Sequence, residues 1–224
     1  MPFESSKSAR ANIFARLRAQ PAPFEDAPPR PAEYLKVSRP PEGDLAERFK
    51  AEAERLNGQV HLVPDAEAGI EKVLTLLAGI PEVIAWENLP LPGLTEALAQ
   101  HQITRRILYA RHENRRAALQ HAEPIKAGIS GADAGFATTG TLALVTQRDQ
   151  GRLPSLFAPM HIAILPRARL FSCLEDWLHA EGRAALLQSN SIAFVTGPSR
   201  TADIEMQTIL GVHGPGVVHV VIVG

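Results

Sequence analysis

The stretch D-L-A-E-R-F-K-A-E-A-E-R-L-N-G-Q-V-H-L-V, Asp44 to Val63, carries the architecture. Asp44 to Asn57 reads as a helix with Leu45, Phe49 and Leu56 on its apolar side, and Gly58 stands where a helix stops. Gln59–Val63 then reads as a strand. The alternation continues with a helix over 67–78, a strand over 82–86, a helix over 93–100, a strand over 104–110, a helix over 114–121 and a strand over 124–129. Strands separated by helices of this length predict βαβ units, hence a mostly parallel sheet with helices on both faces.

Further on, the pattern changes. Ile129 to Thr141, I-S-G-A-D-A-G-F-A-T-T-G-T, reads as a small-residue loop that lets backbone approach a ligand or another backbone, and it feeds a strand over 142–146. No helix is predicted before the next strand, 161–165, so an antiparallel or mixed part of the sheet is expected there. A helix over 174–188, a strand over 191–196 and a last strand over 217–223 complete this domain, residues 43–224. Upstream, residues 1–42 read as an arm: an amphipathic helix over 8–20 with Ile13, Phe14 and Leu17 on one face, then seven prolines between Pro21 and Pro41. Such an arm would dock on its own domain, a sister subunit or a partner.

Composition narrows the classes. The 224 residues suffice for one large α/β domain, and 45% hydrophobic with 21% charged residues is ordinary for a globular chain. A net charge of -1 provides no field for nucleic acid, and no apolar run reaches membrane-spanning length, so the expected location is the cytoplasm. Cys173 is the sole cysteine, which excludes an internal disulfide framework and any multi-thiolate cluster or zinc site; no metal and no cofactor of its own is expected. Glycine-rich nucleotide loops are missing, and His112-Glu113-Asn114-Arg115-Arg116 has Arg116 where a zinc-protease motif needs histidine.

Thr196 to Pro215, T-G-P-S-R-T-A-D-I-E-M-Q-T-I-L-G-V-H-G-P, is the second distinctive stretch. Gly197 and Pro198 break a strand, and a short helix ending at Gly211 is expected to follow. Ser199, Thr201 and Asp203 are competent N-caps there. Free N–H groups beside Arg200 would make a small anion site, unless Asp203 and Glu205 neutralise the helix dipole and leave a merely well-capped turn. Ligands of open parallel sheets bind beyond the carboxyl ends of the strands, so this corner and the Ser130–Gly140 loop are expected to share a crevice. The candidate binding residues are Gly131, Asp133, Thr139, Gly140, Thr141, Gly197, Ser199, Arg200, Thr201 and Asp203, with Glu205, His161 and His213 as secondary candidates. No catalytic residue is assigned.

In order, Gly128–Thr141, Ser155–Ile162 (S-L-F-A-P-M-H-I), G-P-S-R-T-A-D-I-E (Gly197–Glu205) and G-V-H-G-P (Gly211–Pro215) resemble the lactate utilisation protein C family, of the LUD domain. The resemblance covers about residues 43–224. It implies a fold similar to ribose-phosphate isomerase and coenzyme A transferases, and a part in oxidising L-lactate to pyruvate with two other proteins, at least one bearing iron–sulfur clusters. It also makes a small anionic metabolite the expected ligand, with Arg200 pairing its carboxylate and Ser199, Thr201 and Thr139 as donors. One departure is Thr138, which stands where family members often carry an acid before Thr-Gly-Thr. A stand-alone enzyme acting on a sugar phosphate, folate or acyl-CoA, and an interaction module without catalysis, stay open as alternatives, as does homo-oligomerisation.

Overall fold

The computed structural model describes residues 4–19, 42–108, 115–147, 150–189, 191–202 and 208–224. Its helices are α1 Glu4–Ala19, α2 Leu45–Arg55, α3 Ala66–Leu76, α4 Leu94–Gln100, α5 Arg115–Ala122, α6 Leu153–Leu156, α7 Leu174–Trp177 and α8 Arg183–Gln188. The strands are β1 Gln59–Val63, β2 Glu82–Ala85, β3 Thr104–Arg106, β4 Ala127–Gly131, β5 Ala134–Phe136, β6 Thr141–Val145, β7 Met160–Pro166, β8 Leu170–Phe171, β9 Ile192–Val195, β10 Arg200–Ala202, β11 Thr208–Leu210 and β12 Val217–Val223. Two compact units are present, Met1–Lys36 and Val37–Gly224. In the first, α1 exposes Ile13, Phe14 and Leu17, and the Arg10 guanidinium lies over the Phe14 ring. The proline-rich segment lies outside the described residues, as do Asp203 and Glu205.

The expected α/β layering is present in the second unit. Six strands, all parallel, run in the order β1-β12-β7-β4-β2-β3. Val73, Leu77, Leu94 and Leu98 of α3, α4 and the turn after α3 cover one face through Val83, Ile129, Ile162, Ile164 and Val221. Ala46, Phe49 and Ala53 of α2 cover the other through Val60, Ala163, Leu165 and Val220. Burial on both faces explains why β7 and β12 read as continuous apolar runs. Helices α2 and α3 begin where side chains cap them: Asp44 accepts from Ala46 N at 2.9 Å, and Asp65 accepts from Ala68 N at 2.9 Å.

Two expectations change. The antiparallel part is a separate four-stranded sheet, β8-β5-β6-β9, and the small-residue loop supplies its β5. Ala134-Gly135-Phe136 lacks strand-like bulk, but its buried backbone needs partners, and β6 and β8 provide them. Secondly, where a helix is expected after Gly197, the described residues 200–202 and 208–210 are strand. β10 and β11 pair antiparallel, with Thr201 opposite Ile209. β-branched Thr201, Thr208 and Ile209 favour that pairing over the expected helix. The helix over 174–188 keeps its limits but contains a π-helical turn, Leu178–Gly182.

Histidines enter the main sheet as neutral groups. His161 is fully buried, its Nε2 2.8 Å from Ser130 Oγ, and burial holds its pKa at about 4. His219 sits 3.1 Å from His61, and burial, then the charge of His61 and Lys72, hold it at about 4. Unfolded histidine titrates near 6.5, so the unfolded chain binds more protons between these values. Stability should therefore be constant above pH 6.5 and decline as pH falls toward 4, His161 alone accounting for on the order of 3 kcal/mol. Urea unfolding midpoints across that interval check this, and the pair Ser130→Ala/His161→Leu should flatten the decline.

Candidate functional site

The two distinctive stretches meet, and α2 is what they meet on. After β5 the chain turns through Ala137–Gly140 into β6; Gly140 has φ +63°, and a Cβ there would lie 2.4 Å from Ala53 N. Gly197, following β9, has φ +90°, and its Cβ would lie 2.8 Å from Leu56 O. Both corners are glycine because helix backbone is where a side chain would go.

Pairing of β6 with β9 places Leu142 opposite Val195, and one step further Thr141 Oγ1 lies 2.9 Å from Thr196 Oγ1. Thr139 donates to Thr141 at 2.8 Å. Three hydroxyls joined by two hydrogen bonds leave one O–H uncommitted, so the chain from Thr139 to Thr196 offers an adaptable donor. Beside it opens a cavity of about 380 Å³ lined by Thr138, Thr139, Thr141, Cys173, Glu175 and Phe194, with Phe136 and Leu174. That volume lies in the range of small-molecule sites.

Thr138 fixes the far wall. Its backbone N and its hydroxyl both donate to Ser172 O, the N at 2.9 Å, which ties the turn to the start of α7. A carboxylate at this position could not donate that second bond. The cavity's carboxylate comes instead from Glu175, in the first turn of α7. Burial, the largest influence, pushes the Cys173 thiol up, and hydrogen bonds with the Glu175 and Asp176 side chains push the same way against a backbone bond from Asp176. Cys173 is therefore a thiol at neutral pH, not a thiolate nucleophile.

The other expected residues separate from this cavity. Ser199 N donates to Pro215 O and Gly211 N to Ser199 O, both at 2.9 Å, so the Gly197 corner and Gly211–Pro215 form one surface. Gly216 N donates to Pro159 O, just before β7, so this surface lies at the amino ends of the parallel strands, not at the expected carboxyl ends. The reason is that Gly197 leaves β9 and the Thr138–Gly140 turn leaves β5, strands of the second sheet. Arg200 is exposed and donates to Leu56 O at the carboxyl end of α2, where a cation meets the helix dipole. Thr201 is committed to the hairpin, and His213 is exposed. Gly131 packs against Pro90 and Trp86. Asp133, at the opposite end of β5, lines a different cleft, and His161 lies inside the sheet. Sequence reasoning missed Glu175, Phe194 and Thr196; the acid of Glu175 read only as a favourable first-turn charge. Among the described residues no group of three or more histidine, cysteine or carboxylate side chains could hold a metal, and no helix is long and apolar enough to cross a membrane.

Comparisons with known proteins bear on this geometry. The LUD domain model matches residues 46–223. A lactate utilization protein C from Oceanobacillus iheyensis is 40% identical over 97 residues, 42% of each chain. One from Halalkalibacterium halodurans is 34% identical over 138 residues, 59% of this chain and 58% of that one. The matched stretches thus span 42% to 58% of the length of these relatives. A crystal structure of a DUF162 family protein from Deinococcus radiodurans shares the fold, with a TM-score of 0.60 at 20% identity, covering 82% of this chain and all of that one.

Gly140→Ala should destabilise by roughly 2–4 kcal/mol, because it combines a positive φ with a clash against helix backbone. Thr139→Val removes only an exposed-side hydroxyl and should stay within roughly 1 kcal/mol. Chemical denaturation of the two variants tests that ordering.

Proposed function

The chain belongs to the LUD domain family, and from that premise we propose that it is a subunit of an L-lactate utilisation system that holds lactate or pyruvate for oxidation with iron–sulfur partner proteins. The observation that carries this reading is the hydroxyl chain Thr139–Thr141–Thr196 beside a cavity of about 380 Å³. Its uncommitted O–H suits a carboxylate oxygen, and Glu175, on the cavity wall, would accept from the C2 hydroxyl of a 2-hydroxy acid. Phe136, Leu174 and Phe194 give a methyl group an apolar wall. The names of the similar proteins from Oceanobacillus and Halalkalibacterium support lactate utilisation as the process.

A catalytic reading has one observation in its favour: Glu175 restores to the cavity the carboxylate that Thr138 lacks, and it could act there as an acid or base. Turnover of a sugar phosphate, folate or acyl-CoA by the purified chain, abolished in Glu175→Gln, would select it.

With its partner proteins present, lactate oxidation should depend on this chain; unchanged oxidation when it is left out would overturn the proposal. L-Lactate or pyruvate at a hundred times its dissociation constant should stabilise the chain by about 2.7 kcal/mol. Thr139→Val/Thr141→Val should lose that stabilisation and Arg200→Ala should keep it. The reverse result would put the carboxylate on Arg200 at the Gly197 corner.

A further inference from the structure

The second sheet ends on an open edge. Its order is β8-β5-β6-β9, and among the described residues β9 pairs only with β6. Leu142 stands opposite Val195, and in the same register Thr146 N donates to Ser191 O. In an antiparallel pair such directly bonded partners alternate with unbonded ones. Ala193 and Val195 therefore turn their backbone N–H and C=O toward β6, while Ile192 and Phe194 turn theirs outward. Those four outward groups have no hydrogen-bond partner among the described residues.

Apolar side chains gather at this edge. Ile192 and Phe194 lie on the Trp177 face of the sheet, and Phe194 is 50% exposed although it lines the threonine cavity. Ala185 of α8 packs on the same core cluster as Ile192, and its neighbours Leu186 and Leu187 are 57% and 83% exposed. Only residues 189–191 separate α8 from β9. Residues 189–196, S-N-S-I-A-F-V-T, carry no charge. Lysine or proline commonly guards an exposed strand edge, and β9 has neither. The edges of the main sheet differ: β3 carries Arg105 and Arg106, and β1 exposes no large apolar side chain.

We propose that β9 pairs antiparallel with β9 of a second copy of this chain about a two-fold axis at Ala193, joining two four-stranded sheets into one of eight strands. In this register Ile192 of each copy stands opposite Phe194 of the other, and the outward groups of each such pair exchange two N–H···O bonds. Ala193 meets its own equivalent at an unbonded position, where Cα atoms approach to about 4.5 Å and a methyl group fits. Each Ile–Phe pair sets an aromatic against a β-branched side chain, a favourable cross-strand combination. The patch is thus complementary to itself, as a two-fold interface requires, and no like charges meet along the strand. A stable dimer buries roughly 1,200–2,000 Å², more than two four-residue strands supply, and Leu186 and Leu187 on the same face extend the apolar area. Ile192 of the second copy then covers the exposed side of Phe194, so each copy completes the apolar wall of the other's threonine cavity. This pairing holds whatever that cavity binds.

Sedimentation velocity of the full chain at micromolar concentration should show a dimer. Ile192→Pro removes an outward N–H at the first residue of β9 and leaves the ladder to β6 in place, so it should raise the dimer dissociation constant at least tenfold with an unchanged circular dichroism spectrum. Ala193→Cys sets two thiols across the axis within disulfide reach, whereas the native Cys173 is buried. Under mild oxidation Ala193→Cys should become a covalent dimer, and Glu71→Cys, exposed on α3, should not. A chain that stays monomeric throughout the micromolar range, a dimer that survives in folded Ile192→Pro, or cross-linking no faster at position 193 than at position 71 would each overturn the proposal. The two cysteine variants decide alone if Ile192→Pro does not fold.

Discussion

The last turn of α2 is the constraint on which the second sheet depends. Ala53 O accepts from Leu56 N and Gly58 N, and Leu56 O accepts from Arg200, so the helix end is satisfied by its own turn and by a residue far along the chain. Against this end come two corners that must both be glycine, Gly140 at Ala53 and Gly197 at Leu56. Three segments, near residues 53–58, 138–141 and 196–200, are thereby held within hydrogen-bonding reach. The meeting of Thr141 and Thr196 follows from that closeness and from the β6–β9 register. A side chain at either corner would push the second sheet from α2 and part the hydroxyls.

The second sheet also explains why residues adjacent in sequence serve different cavities. β5 has three residues, and Asp133 and Thr138 flank it at opposite ends. A strand advances about 3.3 Å per residue, so the three steps from Asp133 to Phe136 carry the chain about 10 Å before the turn that holds Thr138. Trp177 fills the face between, packed on Phe136, Ala134 and Val145, and keeps the two openings apart. The loop that reads as one binding element is thus a strand with a cavity at each end.

Much of the architecture was legible because burial on two faces writes itself as apolar runs. Gln59–Val63 and Val217–Val223 keep the limits read from sequence, and the helix over 174–188 keeps its ends. Local chemistry was less readable wherever partners lie far along the chain. Ala134-Gly135-Phe136 has no strand pattern of its own and becomes a strand only because β6 and β8 border it. Ser199 and Thr201 look like caps, but Ser199 pairs with Pro215 and Gly211, and Thr201 pairs with Ile209. At the small-residue loop the choice between ligand and backbone was open in sequence, and at Gly140 a Cβ would meet the backbone of Ala53. The π-helical turn left only Gly182, a weak mark inside a helical pattern.

Chemistry at the threonine cavity is limited by what its walls can exchange. Converting a 2-hydroxy acid to a 2-oxo acid removes two electrons and two protons. Glu175 can take a proton, and the hydroxyl chain can reorient as charge moves. Electrons have no destination among these side chains: Cys173 is the one cysteine and has no second thiol with which to cycle to a disulfide, and its raised pKa keeps it a thiol. Under the proposed reading, this chain orients the substrate and handles its proton, and the electron pair passes to a partner.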